Sequence, residues 1–177
     1  MSRVAKRYSK ALFQLGKEEQ KLEQLENDLK QIKELLDKSE NFRVFITNPL
    51  VDNNEKANIM SELFKGKLSL SGYNFLQLLA RKKRSSILPA IIEEFHRMLL
   101  EHRSIIEGDL VSVVDLNENQ EKQIRENIEK MTGKSVFFKK YHDPSLIGGF
   151  IVKIEDVIID NSIRFQLNKL RERLGVQ

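Results

Sequence analysis

The residues able to act as catalysts or ligands are few, and their spacing is wrong for the chemistry they suggest. Gly133, Lys134 and Ser135 have the residue types that close a phosphate-binding P-loop. That loop needs an earlier glycine where Ile128 stands, and it needs a strand before and a helix after, the reverse of the pattern around this tripeptide. His96 and His102 are six apart, so a helix turns them to different faces. His142 is isolated, and no histidine has a carboxylate at ligand spacing. A serine nucleophile lacks the G-x-S-x-G elbow. Glu155 and Asp156 are adjacent carboxylates, but neighbours at a hairpin tip face solvent rather than one substrate. Gly148-Gly149 fits a bulge or a close backbone approach better than a ligand cradle. The expectation is therefore no catalytic residue, no metal and no cofactor.

The most ordered pattern lies in 143–174. Asp143-Pro144 opens a turn, and from Gly149 the residues Phe150, Val152 and Ile154 alternate with Ile151, Lys153 and Glu155 at strand period. Val157, Ile158 and Ile159 resume so soon that a tight antiparallel hairpin is required, with Glu155-Asp156 at its tip. Ser162 is placed to cap a helix, in which Ile163, Leu167, Leu170 and Leu174 form one apolar stripe.

Composition narrows the class. A chain of 177 residues with 40% apolar content can fill the core of one medium or two small domains. Charged residues make up 32% with a net charge of +4, so both signs are abundant and the mild basic excess does not by itself name nucleic acid as partner. With no cysteine, disulfides and thiolate chemistry are excluded. No stretch approaches the roughly 20 apolar residues of a membrane span, and the first ten residues lack a secretory apolar segment. The reading is a soluble, uncleaved chain. A basic amphipathic start also suits a mitochondrial presequence, but an acidic stretch follows at once.

In chain order, Val4, Tyr8, Ala11, Leu12 and Leu15 repeat at helical spacing from Ser2 to about Gly16. Leu22, Leu25, Leu29, Ile32 and Leu36 alternate steps of three and four, which suits a bundle helix or a short coiled-coil seam. Phe42, Phe45 and Ile46 make a short helix stopped at Asn48-Pro49. Asp52 and Glu55 suggest a capping box for a helix carrying Ile59, Met60, Leu63 and Phe64 to Gly66. From about Ser71, Phe75, Leu76, Leu78 and Leu79 define a fifth helix that ends in Arg81, Lys82, Lys83 and Arg84, cations suited to the negative end of the macrodipole. No aromatic residue interleaves them as in a nucleic-acid site. Leu88, Ile91, Ile92, Phe95 and Leu99 make a sixth helix, capped by Ser85 or Ser86, with Pro89 in its first turn.

Near Ser104 the period changes. A β-rich stretch over 105–116, a charged helix over 118–131 and a second β-rich stretch over 135–141 precede the hairpin and last helix. The expected organisation is α+β, an all-α six-helix N-terminal bundle over 1–104 and a small α+β domain over 105–177.

These residues carry a family resemblance. Asp143, Ser145, Leu146, Ile147, Gly148, Gly149, Asp156, Val157, Asp160 and Ser162 resemble the C-terminal signature of the delta subunit of F-type ATP synthases, whose mitochondrial relative is the oligomycin-sensitivity-conferring protein. Ala5, Arg7, Tyr8, Lys10, Ala11, Leu12 and Phe13 resemble the family's opening. Glu155 stands where the family usually has glycine, and Ser9 and Gly16 where alanines are usual. The resemblance implies a non-catalytic peripheral-stalk subunit that links the catalytic head to the b-subunit stalk and resists rotor torque during proton-driven ATP synthesis. It implies membrane association only through the complex, on the cytoplasmic face of a bacterial inner membrane, with no cofactor and no nucleic acid. It implies that the N-terminal helix of an alpha subunit lies between the first and fifth helices. On that reading Tyr8, Ala11, Leu12, Leu15, Leu76 and Leu79 line the groove, although a bundle core explains the same residues. The C-terminal part then meets the b subunit through Gly148, Gly149, Ile163, Leu167, Leu170 and Leu174. One competing module is an RNA-associated protein, because the strand order overlaps an RNA-recognition fold and Gly149, Phe150 and Ile151 echo its aromatic motif. Leu146, Gly148 and Lys153 stand where that motif needs its basic and aromatic residues. An unrecognised hydrolase is the other alternative.

Overall fold

The computed structural model describes residues 3–154 and 156–174; Ser2, in the first expected helix, and Glu155, at the expected hairpin tip, lie outside them. The chain is α+β, with eight described α-helices and one four-stranded mixed sheet. It divides into two compact units between residues 99 and 100.

Six helices precede the first strand: α1 (Arg3–Glu18), α2 (Leu22–Lys38), α3 (Glu40–Thr47), α4 (Asn53–Phe64), α5 (Leu70–Arg81) and α6 (Leu88–His102). On α1 the buried residues Ala5, Ser9, Leu12 and Gly16 form a single stripe, to which Phe13 adds an edge-on contact with Phe95 of α6 at 5.8 Å. Ser9 is buried without loss because its hydroxyl donates to the Ile91 carbonyl at 2.8 Å. Gly16 does not end this helix. It sits inside it, where an added Cβ would lie 2.8 Å from Leu25 Cδ1, so its missing side chain lets α1 and α2 approach. The left-handed residue past the helix end is Gln20, at φ 56°.

Leu25, Leu29, Ile32 and Leu36 of α2 are buried in the core of this unit, so the heptad-like spacing serves a bundle. Between them lies a buried carboxylate. Asp28 accepts hydrogen bonds from the Ser69 backbone N–H at 3.1 Å and from the Ser69 hydroxyl, while Ser69 caps α5 by accepting from Gly72 N–H at 3.1 Å. The negative charge therefore lies at the positive end of α5. Gly72 is required there, because any Cβ would overlap the Asp28 carboxylate. At the other end of the unit, the Lys56 ammonium donates to the Asn48 carbonyl at 2.5 Å, at the C-terminus of α3, and burial pushes its pKa down. Ser85 does not act as the expected cap of α6: it opens a short 3-10 turn, and its hydroxyl is buried with no partner among the described residues.

The second unit is built on β1 (Ile105–Ser112), α7 (Glu118–Thr132), β2 (Ser135–His142), β3 (Phe150–Ile154), β4 (Val157–Asp160) and α8 (Ile163–Leu174). The strand order is β2-β1-β3-β4, with β1 parallel to β2 and antiparallel to β3, and β3 antiparallel to β4. A parallel pair needs a crossover, and α7 supplies it. Asn117 and Gln120 form a full capping box at its start, and Gly133 at φ 68° ends it. Ile124 and Ile128 of α7 pack with Ile106, Leu110, Val136, Phe138, Val152 and Ile154 from one face of the sheet. Gly108 and Ser112 occupy the remaining buried positions of β1.

Two stability outcomes follow from these contacts. Asp28→Ala leaves the Ser69 donors unpaired, and Gly72→Ala drives a methyl into the same carboxylate; each should lower unfolding free energy by about 1–3 kcal/mol in urea titration. Glu94, buried on α6, is held below its ordinary carboxylate pKa by hydrogen bonds from Arg97 at 2.6 and 3.1 Å. A depressed carboxylate contributes stability above its unfolded value of 4.5, and that stability is lost as pH falls through the folded value. Glu94→Gln should therefore flatten the acid limb of the stability profile, and an unchanged limb would exclude this pair as its source.

Candidate functional surfaces

The sequence-level candidates for chemistry remain dispersed. Gly133 is the helix C-cap and Ser135 the first residue of β2, so the tripeptide passes from helix to strand. His142 pairs with Asp115 at 3.3 Å. Among the described residues no cluster of three histidine or acidic side chains could hold a metal ion. Asp156 is exposed.

The α1–α5 candidates separate into two layers. Leu12, Leu76 and Leu79 lie in the core, Leu76 and Leu79 being 0% exposed, and so offer no surface to a guest helix. For these three the core reading holds, because α5 is fixed in rotation with Gly72, Phe75, Leu76, Leu79 and Ala80 inward. Tyr8 is half-buried, packed edge-on against Phe75 at 6.5 Å, while Ala11 and Leu15 are exposed beside it on α1. Past the first turn of α5, where Leu70 is exposed, the outward leucine is Leu78, at 42% exposure. It steps about 100° off the buried stripe, so a wheel centred on Phe75, Leu76 and Leu79 already marks it as the outward leucine. Tyr8, Ala11 and Leu15 on α1 and Leu78 on α5 are thus the apolar residues near this pair that keep surface open to a partner. A hollow of about 260 Å³ lies elsewhere on this unit, between α2 and α6, floored by Leu29, Ile92, Phe95 and Leu99. No single motif in the sequence marks it, since its floor comes from two core stripes that leave a gap.

In the second unit the last helix stands out. No residue of α8 is buried, although Ile163, Leu167, Leu170 and Leu174 share one stripe, at 44 to 74% exposure. Phe165 is exposed on the opposite side of the helix, where Lys169 lies over its ring. Among the described residues, the hydrogen bonds that anchor this helix are made at its start. Ser162 accepts from Phe165 N–H at 3.1 Å, and the Ile163 N–H donates to the Gly148 carbonyl at 2.9 Å. The glycine pair makes this close approach. A Cβ on Gly148 would lie 2.5 Å from Ile163 Cδ1, while Gly149 has φ 80° and a Cβ there would meet the Asn161 carbonyl. Both glycines position α8, rather than presenting side chains of their own.

The sheet face away from α7 carries exposed apolar residues too. Phe137 and Tyr141 of β2 are exposed on it, with Lys139 between them. Lys139 donates to Glu107 at 2.8 Å, and that bond raises its pKa, so the ammonium stays charged and is offset by the carboxylate. Asp109 lies in register between Lys139 and Lys153. The RNA reading loses its geometry here. β1 pairs directly with β2, whereas a split βαβ fold keeps a strand between them. Phe150 packs toward the α7 side, not on the open face where bases would stack.

Comparison with known proteins adds identity to these surfaces. A solved chain of the Toxoplasma gondii mitochondrial ATP synthase hexamer shares the fold, with a TM-score of 0.72 over 99% of each chain at 20% identity. The ATP synthase subunit delta of Chlorobaculum tepidum is 36% identical over 98% of this chain and 96% of its own length. That of Desulfitobacterium hafniense strain DCB-2 is 33% identical over 97% and 96%. The family model described as ATP synthase delta (OSCP) subunit matches residues 4–174, and with relatives of this identity and coverage the chain belongs to that family.

Proposed function

We propose that this chain is the stator subunit that joins the catalytic head of an F-type ATP synthase to its peripheral stalk and holds the head against rotor torque. The family is one of structural, non-catalytic subunits, and its work is mechanical coupling of proton flow to ATP synthesis. No described helix is long and apolar enough to cross a membrane, so attachment runs through partner subunits, here assigned to the cytoplasmic face of a bacterial membrane.

The observation that carries the reading is α8, an amphipathic helix with its whole apolar stripe in water. A stripe of four large apolar residues has a high cost in solvent, and a protein partner relieves it. A link also needs two attachment points on parts that fold around separate cores, and this chain has two such cores. In the proposal, residues 1–104 act as one six-helix bundle that receives the alpha-subunit N-terminal helix along Tyr8, Ala11, Leu15 and Leu78. Leu12, Leu76 and Leu79 support that strip from below. Residues 105–177 meet the b subunit through Ile163, Leu167, Leu170 and Leu174, on a helix seated by Gly148 and Gly149.

Calorimetric titration of the full chain with a peptide of the cognate alpha-subunit N-terminus tests the head contact. Leu78→Asp should weaken binding at least tenfold with helix content unchanged, because the site is already wet. Leu79→Asp should instead unfold the first unit, since an unpaired charge would be buried. Equal binding by wild type and Leu78→Asp would remove α5 from the head contact. For the stalk, the double change Leu167→Asp and Leu170→Asp should abolish capture of the soluble part of the cognate b subunit and leave the alpha-peptide titration intact.

A further inference from the structure

The hollow between α2 and α6 has an apolar floor, made by Leu29, Ile92, Phe95 and Leu99, all of them otherwise buried in the core of the first unit. Its lining follows positions 26 to 33 of α2 and 92 to 99 of α6. Two helical turns on each side make a trough about 10 Å long. One end of it is barred. A smaller hollow of about 70 Å³ continues toward Leu36 and Pro89, and the two share Lys33 and Ile92. At that junction the Lys33 ammonium reaches Glu93 across the trough at 2.6 Å.

This geometry selects the kind of guest. An ion pair across the groove interrupts the continuous apolar stripe on which a guest helix would lie. A short, thin molecule meets no such obstacle, and apolar cavities of this order take up small hydrocarbons in preference to water. The charges at the rim select the other end of the guest. Glu26 and His96 are each engaged by other groups of the protein, and Lys33 is held by Glu93. Lys30 is exposed, and its ammonium has no partner among the described residues. The open charge at the rim is therefore a single cation, which a single carboxylate matches through a charge-assisted hydrogen bond.

We propose that the α2–α6 hollow binds a straight-chain monocarboxylate, the anion of a fatty acid of medium length. The hydrocarbon chain lies on Leu29, Ile92, Phe95 and Leu99, and the carboxylate meets Lys30. The site shares no residue with the head and stalk contacts proposed above, so it stands or falls without them.

Octanoate is the probe, added to the full chain below the concentration at which it forms micelles. It should bind saturably in calorimetric titration, shift the methyl NMR signals of Leu29, Ile92 and Leu99, and raise the thermal unfolding midpoint. Lys30→Glu changes an exposed helix position, and it should weaken octanoate about tenfold or more while admitting octylamine, which the wild-type chain rejects. Lys10→Glu on α1 makes the same change in net charge away from the hollow, and should leave octanoate affinity as it was. Octanoate binding unaltered by Lys30→Glu, or binding without shifts at those methyl groups, overturns the assignment. Absence of saturable binding to the wild-type chain overturns it too. Shifts produced at the same methyl groups by the alpha-subunit peptide, and not by octanoate, would give the hollow to a protein contact instead.

Discussion

The rotation of α5 depends on one buried carboxylate. Asp28 receives the Ser69 backbone and hydroxyl donors at the start of that helix, a place where negative charge is favoured and where a buried charge without donors would be very costly. Two consequences are geometric. Position 72 must be glycine, because the carboxylate fills the space of a Cβ. With that close approach made, the first turn of α5 is fixed against α2, and Leu76 and Leu79 are fixed inward with Leu78 outward. The surface offered to a partner along α1 and α5 is thus set by a polar contact more than a helical turn away from Leu78.

The second unit follows a different constraint. A parallel pair made by one crossover helix gives a sheet whose buried core lies on one face, that of α7. Phe137 and Tyr141 stay in water there, while ion pairing of Lys139 with Glu107 keeps the face from being wholly apolar. The last helix is tethered at its first turn by Ser162 and the Gly148-Gly149 approach, and none of its residues is buried. Such an element is incomplete as an isolated fold. Its completion by a partner is the physical content of a linking subunit, whose purpose is to form interfaces and not to enclose a reaction.

Much of the fold was legible from periodicity. The buried seam of α2, the stop at Asn48-Pro49, the cap at Asp52, the cap at Ser162 and the hairpin strands follow from residue types and spacings that act over a few residues. Two positions mislead for one cause. Gly16 looks like a helix end and Ser85 looks like a cap, because each depends on which neighbour occupies the space beside it. Gly16 lies within α1 because Leu22 and Leu25 press against it, a contact made only after α2 folds back.

By itself, the sequence determined the element types, the change from helical to strand period, the absence of any chemically coherent catalytic set and, through its opening and closing motifs, the family. Those properties are local or additive, so they survive without knowing what lies across the core. Only the tertiary structure decided which of the apolar residues are available to partners. Leu78 and Leu79 are adjacent and chemically identical, yet one is exposed and the other is sealed. The same holds for the lysines of α2, where Lys33 is taken up by Glu93 and Lys30 is left open. Burial and hydrogen-bond satisfaction are properties of neighbours in space, and the chain acquires those neighbours only on folding.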